Sequence, residues 1–422
     1  MSPPLPGSGG SSSKHGPIPR LLYLGSAFPP GVSTLFPNLQ PPGQMMETGF
    51  VRSVMPWWDT RSVGTSGIDI ERLPGPLPAS PGLDNTLNLL DKAPEVWHRR
   101  RSLWRLQRAY LDWAASGWRP DVIMVYNMTP IYDAFVRWLK RRPNPPCLVL
   151  YLADSTELGL RLPPFKRFRY RFKPLVWPQN KTVRMFDACV GLSRSTEPMF
   201  RAMGLPWLWL PNGCDPERAL RTEGVRGPRS PILGYFGSPT YYAGVPQLLR
   251  CYTARQRPGM LRINGFGKAL ATVKQEYSGH PQVAISGPVN TPEECLHFGR
   301  NCDVLLNPRP NYPGNTNNFP SKVFEYALVG RAILSTSVSG ANDVLGEEAY
   351  YFDAEDFENS LEKALTKLES VSREELDRRG QAIQSRVLRE FSWARQGERL
   401  SSFLLGLLEG SKSAPRIAGR RG

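Results

Sequence analysis

Lys322 and Glu325 stand three residues apart at the head of a helical pattern, a spacing that places an ammonium and a carboxylate on neighbouring positions of one face. The backbone N–H groups of Ser321 to Phe324 would be donors at the positive end of the helix dipole, and Lys322 adds a full charge to that end. Such a terminus is a natural seat for phosphate. Glu325 lies about one turn in, where a carboxylate can accept two hydroxyl hydrogen bonds from a ribose. It falls one residue too late to close a capping box with Ser321, so capping does not explain it. Arg309 and Asn317, in the preceding loop, supply a further cation and an amide. Taken singly, each of these residues also fits a plain structural part, as a solvated helix-start charge or a loop former.

The elements that would position this group are legible. Residues 303–307 are a short apolar run of strand length, broken by Pro308, Pro310, Pro313 and Gly314. A helix then begins at Ser321, the expected N-cap, with Val323, Phe324, Ala327 and Leu328 on one face and Gly330 as the stop. Residues 332–338 return as a buried strand. Strand, loop, helix and strand make one unit of a parallel α/β sheet.

The segment PSKVFEYALVGRAILST resembles the donor site of glycosyltransferase family 4 and its relatives, in the branch carrying Pro-Ser-Lys and Glu-Tyr. The resemblance implies the GT-B fold, an α/β architecture of two facing Rossmann-like domains with a cleft between them. It also implies a nucleotide-diphosphate sugar as co-substrate, with Glu325 in the position that holds the donor ribose. The family's first acidic position falls on Asn317, a departure from the pattern. Upstream, PILGYFG followed by Ser238 matches the family's first donor-domain strand and turn, which nominates Gly237 and Ser238. The Arg and Lys that usually follow are replaced by Pro239, Thr240, Tyr241 and Tyr242, so Arg309, Lys268 or Lys322 would have to supply the charge for a diphosphate. The stretch from Gly265 to Lys268 holds two of the three glycines of a dinucleotide fingerprint and, at its family position, implies donor contact by Gly265 and Lys268.

The first half of the chain repeats the strand and helix alternation. A strand over 20–25 runs into a loop rich in Gly, Pro and Ser, and Gly25 and Ser26 would let backbone approach a ligand. The stretch from Trp57 to Leu83 reads as irregular, and 95–118 as an amphipathic helix with a basic face. Strands over 121–126 and 147–153 flank a helix, and the rule that ligands gather at strand carboxyl ends nominates Asn127 and Asp154 as catalytic candidates. Asp154 fits a helix-capping part equally well. The position where relatives carry a His is Ala153 here, which leaves a His-based mechanism unsupported.

Composition bounds the remainder. The chain of 422 residues is long enough for two cores, and its formal net charge of +16 favours anionic partners. No apolar run approaches the roughly 20 residues needed to span a bilayer, which points to a cytoplasmic protein, soluble or peripheral on the inner membrane face. In FKRFRYRFKPLVW, over 165–177, cations interleave with aromatics as an anionic membrane surface would require. No nucleic-acid motif accompanies the charge. Six cysteines are scattered with no C-x-x-C pair, and no D-x-D pair occupies a credible loop, so neither a metal nor another cofactor is expected. The expected plan is a lead-in over 1–19, a first domain over 20–215, a linker over 216–230 and a donor domain over 231–393. A terminal helix over 394–408 crosses back to the first domain, and a basic tail fills 409–422. The reading is of a glycosyltransferase moving a sugar from a UDP- or GDP-linked donor to a glycan or lipid-linked acceptor, in glycan or cell-envelope polysaccharide biosynthesis. Its alternatives are a non-catalytic binding protein of the same shape and a sugar-nucleotide epimerase.

Overall fold

The computed structural model describes residues 18–25, 53–54, 57–64, 86–88, 96–153, 180–221, 230–267, 269–288, 291–312, 315 and 318–413. Among these residues the chain builds two all-parallel sheets. The first holds β1 (Arg20–Leu24), β2 (Asp59–Gly64), β3 (Thr86–Asn88), β4 (Val122–Tyr126), β5 (Cys147–Leu152), β6 (Ala188–Gly191) and β7 (Trp207–Trp209), in the order β3-β2-β1-β4-β5-β6-β7. The second holds β8 (Ile232–Gly237), β9 (Met260–Gly265), β10 (Val283–Ser286), β11 (Val304–Asn307), β12 (Ala332–Thr336) and β13 (Tyr350–Phe352), in the order β10-β9-β8-β11-β12-β13. In each sheet the winding reverses beside the first strand, between β1 and β4 and between β8 and β11. A parallel sheet of this kind opens a crevice at its strand carboxyl ends at that reversal.

Alternation along the strands divides the core. Leu21 and Tyr23 of β1 face one apolar cluster and Leu22 and Leu24 another, because successive strand side chains point to opposite faces. The second cluster is closed by the helices Val96–Ala115 and Pro130–Leu139. The first is continuous with the inner face of the second lobe, through Phe236, Leu305 and Phe324, and with Leu400 and Leu404 of the terminal helix Trp393–Ser413. The two lobes therefore share apolar packing.

The stretch expected to be irregular beyond Trp57 contains β2, which pairs with β1 in the register Arg20 to Asp59. Its sequence, DTRSVG, carries little strand propensity, and its partners decide it. The Asp59 N–H donates to Pro19 O at 2.9 Å, Trp118 Nε1 donates to Asp59 Oδ2 at 2.7 Å, and the Arg61 guanidinium lies 4.4 Å from the Trp118 ring centre.

The chain crosses between lobes twice, and the crossings are bonded to each other. The Cys214 N–H donates to Phe391 O at 3.0 Å and the Trp393 N–H to Cys214 O at 2.9 Å. Beyond Cys214 the Leu220 N–H donates to Leu328 O at 2.9 Å, and Gln384 Nε2 to Leu220 O at 3.0 Å. The front of the segment read as a linker is thus pinned to the second lobe. Trp393–Ser413 in turn reaches the first lobe, where Trp58 Nε1 donates to Ser401 Oγ at 3.0 Å and Arg399 to Trp209 O at 2.8 Å.

At the mouth of the second sheet the turn after β8 leans on the turn after β11. Gly244 has φ of 77°, and a Cβ there would stand 1.6 Å from Pro308 O, so the site admits no side chain without separating the two turns. Gly244→Ala is expected to lower unfolding free energy by about 2 kcal/mol or more in urea melts. Gly279→Ala, at an exposed glycine with nothing within 4 Å of a new Cβ, is the control and should stay within about 0.5 kcal/mol of the parent.

Candidate functional site

The Lys322–Val329 helix follows β11 and is buried at Val323, Phe324 and Tyr326–Val329. This fixes its first turn over the carboxyl end of β8. Lys322 Nζ lies 2.6 Å from the Tyr235 hydroxyl and 4.1 Å from the centre of that ring. Tyr235 donates its own proton to Ser238 O at 2.7 Å, so the phenol oxygen accepts from the ammonium. Gly237 makes the arrangement feasible: a Cβ there would stand 2.6 Å from Lys322 Nζ. Gly237 pairs in register with Gly265 at the end of β9, and the strand ends form a floor without side chains.

The electrostatics follow from this enclosure. Burial drives the Lys322 pKa down to about 8, with Glu325 opposing the shift and Arg309 adding to it. Glu325 is pushed upward, first by burial, while Lys322 and Arg218 pull it back. Both side chains are half-buried, so solvent still reaches them. An ammonium weakly disposed to stay charged, beside a carboxylate with the same difficulty, gains from a ligand that brings phosphate to one and hydroxyls to the other.

Ser321 stands at the N-cap position but does not cap the helix through its side chain. Its backbone is already helical, with φ of −51° and ψ of −28°, and its hydroxyl makes no capping bond. A tight turn satisfies the helix start instead, in which the Ser321 N–H donates to Phe319 O, the Val323 N–H to Pro320 O and the Phe324 N–H to Ser321 O, at 2.9, 3.0 and 3.1 Å. The row of unoccupied N–H donors expected over Ser321–Phe324 is therefore largely spent within the chain, and the positive character of the site comes mainly from side chains.

Arg309 follows β11 on the switch-point loop, where its carbonyl accepts from Thr336 Oγ1 at 2.7 Å and its charge acts on both Lys322 and Tyr235. Asn307 Nδ2 donates to Ser335 Oγ at 2.9 Å and so ties the ends of β11 and β12 together. In the first lobe the corresponding positions are structural in character. Gly25 O accepts from the Tyr132 hydroxyl at 2.5 Å. Asn127, at φ of 52°, accepts from the Ala153 N–H through Oδ1 at 2.8 Å and so joins the ends of β4 and β5. Ser26, Asp154, Lys268, Asn317 and the basic aromatic stretch 165–177 lie outside the described residues.

Two participants escape a reading of the sequence. Tyr235 looks like one more core aromatic of β8, yet it seats the ammonium. Arg218, in the segment between the lobes, acts electrostatically on Glu325 and on Cys295, a thiol whose pKa is raised by burial to about 12. Only the Arg-rich character of that segment hinted at a part for it.

A glycosyl transferase-like family model matches residues 247–402. The fold is similar to sucrose-phosphate synthase from Thermosynechococcus elongatus, with a TM-score of 0.68 and 14% identity over 93% of this chain and 100% of that one. It is similar also to an α,α-trehalose-phosphate synthase (UDP-forming) from Burkholderia vietnamiensis, with a TM-score of 0.64 and 12% identity over 95% of this chain and 100% of that one. The catalytic domain of starch synthase IV from Arabidopsis thaliana, bound to ADP and acarbose, gives a TM-score of 0.60 at 10% identity over 92% of this chain and 99% of that one. No curated protein sequence matches. The fold is GT-B.

The lowered Lys322 pKa has a stability consequence with a fixed sign. Between about 8 and the ordinary value of 10.5 the unfolded chain holds more protons than the folded one, so stability rises with pH across that window. Below it the desolvated ammonium is a full liability. Lys322→Met is expected to be more stable than the parent at pH 7, by about 1–3 kcal/mol, with the gap closing by pH 10. Urea melts of both proteins at the two pH values give the comparison.

Proposed function

We infer that the chain transfers a glycosyl group from a nucleotide-diphosphate sugar to a hydroxyl acceptor. The observation that carries the reading is the half-buried pair of Lys322 and Glu325 over a glycine floor at the carboxyl ends of β8 and β9. In this reading the donor lies across that floor, with Glu325 accepting from the ribose hydroxyls. Lys322 and Arg309 face the diphosphate. The acceptor oxygen bonds to the anomeric carbon while the bond from that carbon to the diphosphate breaks, and the electron pair leaves on the phosphate oxygen. The charge that develops there is met by Lys322 and Arg309, in a site from which closure would exclude water. The acceptor proton passes to a base; Asp154, next after Ala153 at the end of β5, is the residue we nominate.

Finer assignments belong to the same proposal. The Pro-Ser-Lys segment supports a place in family 4 or beside it, and the net charge of +16 fits anionic donors and a lipid-linked or glycan acceptor. The trehalose-phosphate synthase is described as UDP-forming and the starch synthase as ADP-bound, which makes UDP-, ADP- and GDP-sugars the donors to try.

The test is nucleotide release from a panel of such sugars, with and without Glu325→Ala. For the productive donor, kcat/KM should fall about 100-fold in Glu325→Ala, the cost of losing hydrogen bonds to a bound polar substrate. The circular dichroism spectrum should be unchanged. A parent protein that binds the nucleotide but turns over no donor would establish the non-catalytic alternative, and an unaltered rate in Glu325→Ala would remove Glu325 from the site.

A further inference from the structure

A cavity of about 810 Å³ lies between the lobes, and none of Gly237, Arg309, Lys322 or Glu325 lines it. Arg194 and Trp209 border it from the first lobe. The segment from Asn342 to Glu348, the helix Arg373–Phe391 and the head of Trp393–Ser413 border it from the other side.

Five guanidinium groups line this space, and their charges are unevenly met. Arg194 pairs with Asp343 at 3.1 Å and Arg395 with Glu398 at 2.7 Å. Arg386 and Arg389 share Glu390, at 3.3 and 2.8 Å. Among the described residues Arg399 is in ion-pair contact with no carboxylate; it donates to Gln396 Oε1 and to Trp209 O, both at 2.8 Å. Arg194 and Arg399 also flank one indole, 4.1 and 5.8 Å from the centre of the Trp209 ring. Burial and the charges of Arg194 and Arg395 together push the Arg399 pKa down. Like charges are gathered here around an aromatic face, with Arg399 left without a carboxylate and Arg386 and Arg389 sharing one.

Two further carboxylates line the same space. Glu348 is held by Arg378 and Arg379, at 3.1 and 3.8 Å, while Glu347 makes no ion pair among the described residues. A carboxylate without an ion-pair partner in the same space as a guanidinium without one suits a molecule that carries both hydroxyls and a phosphate. The volume is within the range of small-ligand sites.

We propose that this cavity binds a polyhydroxylated phosphate monoester, with Arg399 and Arg194 on the phosphate and Glu347 toward the hydroxyls. Because Arg194 belongs to the first lobe and its partner Asp343 to the second, occupancy spans the junction and holds the lobes in one relative setting. The proposal is independent of the donor reading and names a second anion site.

Calorimetric titration of the full chain tests it, with glucose 6-phosphate as the probe and inorganic phosphate and glucose as comparators. All proteins carry Lys322→Ala, which removes the ammonium of the donor-side cluster as a competing seat for phosphate. Saturable 1:1 binding of glucose 6-phosphate is expected, weaker binding of phosphate and none of glucose. Adding Arg399→Gln should weaken binding at least about tenfold. Arg194→Gln, at a side chain half exposed, should weaken it several-fold and serves where Arg399→Gln does not fold as judged by its melting curve. Absence of binding up to about 10 mM probe, or affinity unchanged in the folded arginine variants, overturns the proposal. Equal affinity for phosphate and glucose 6-phosphate overturns the part assigned to Glu347.

Discussion

A lysine ammonium held against a glycine Cα is the contact around which the second lobe is arranged. The 2.6 Å between Lys322 Nζ and the place a Gly237 side chain would occupy requires three things at once. β8 must end in glycine, the helix must start over that end, and Tyr235 must offer both ring and hydroxyl beneath it. Burial is the largest influence on the Lys322 pKa and outweighs the attraction of Glu325, so the pair is not self-sufficient. A buried ionic pair completed by its own partners tends to be structural, whereas one left short invites a ligand. The asymmetry between desolvation and pairing is what separates this cluster from Arg257, which is enclosed and meets a carboxylate at each terminal nitrogen, Glu362 at one and Glu369 at the other.

Much of the fold could be read from the order of residues, and the reason is burial on both faces. VIMVY, CLVLYL, VLLN and AILST are unbroken apolar runs because helices cover each side of a parallel sheet, and such runs stand out from their surroundings. Elements covered less completely were not legible. β2 has a polar sequence and exists because β1 offers it a ladder. The helix Ala269–Tyr277 buries only Leu270 and Val273, too sparse a stripe to show a period. Pro292–Arg300 is different in kind: Thr291 accepts from the Glu294 N–H at 3.1 Å, with Pro292 and two acids behind it. Those start signals are in the sequence, although hydrophobic spacing alone passes over them.

At the site, residue types were informative and backbone state was not. Lys322, Glu325, Gly237 and Arg309 converge from segments far apart in the chain because each ends or follows a strand at the same reversal of winding. That topology could be inferred from strand and helix alternation. Ser321 misleads for a local reason. Pro320 before it supplies the carbonyl for the first turn and Ser321 itself turns helical, so its hydroxyl cannot reach forward to the N–H groups it would cap. Tyr235 and Arg218 are out of reach for a non-local reason. One looks like core and the other like linker until the lobes are placed, and their influence on Lys322 and Glu325 is a fact of packing across 87 and more residues.

The same packing decides how the lobes can be coupled to the Lys322–Val329 helix. Leu328 O, near the end of that helix, accepts from both the Leu220 N–H of the outbound crossing and Gln384 Nε2 of the long helix leading to the return crossing. The two crossings are themselves joined at Cys214, Phe391 and Trp393, and Gly213 has no side chain because Trp393 fills its place, 2.7 Å from where a Cβ would stand. A change in the angle between the lobes therefore cannot be absorbed by slack chain at the junction. It must load the bonds to Leu328 O, one turn beyond Glu325 on the same short helix. Arg194 and Asp343 bridge the lobes on the side of the cavity, so a force applied there and one applied at the Lys322–Val329 helix act on opposite ends of one stiff linkage. Coupling by this route needs no moving loop, only two settings of a packed junction.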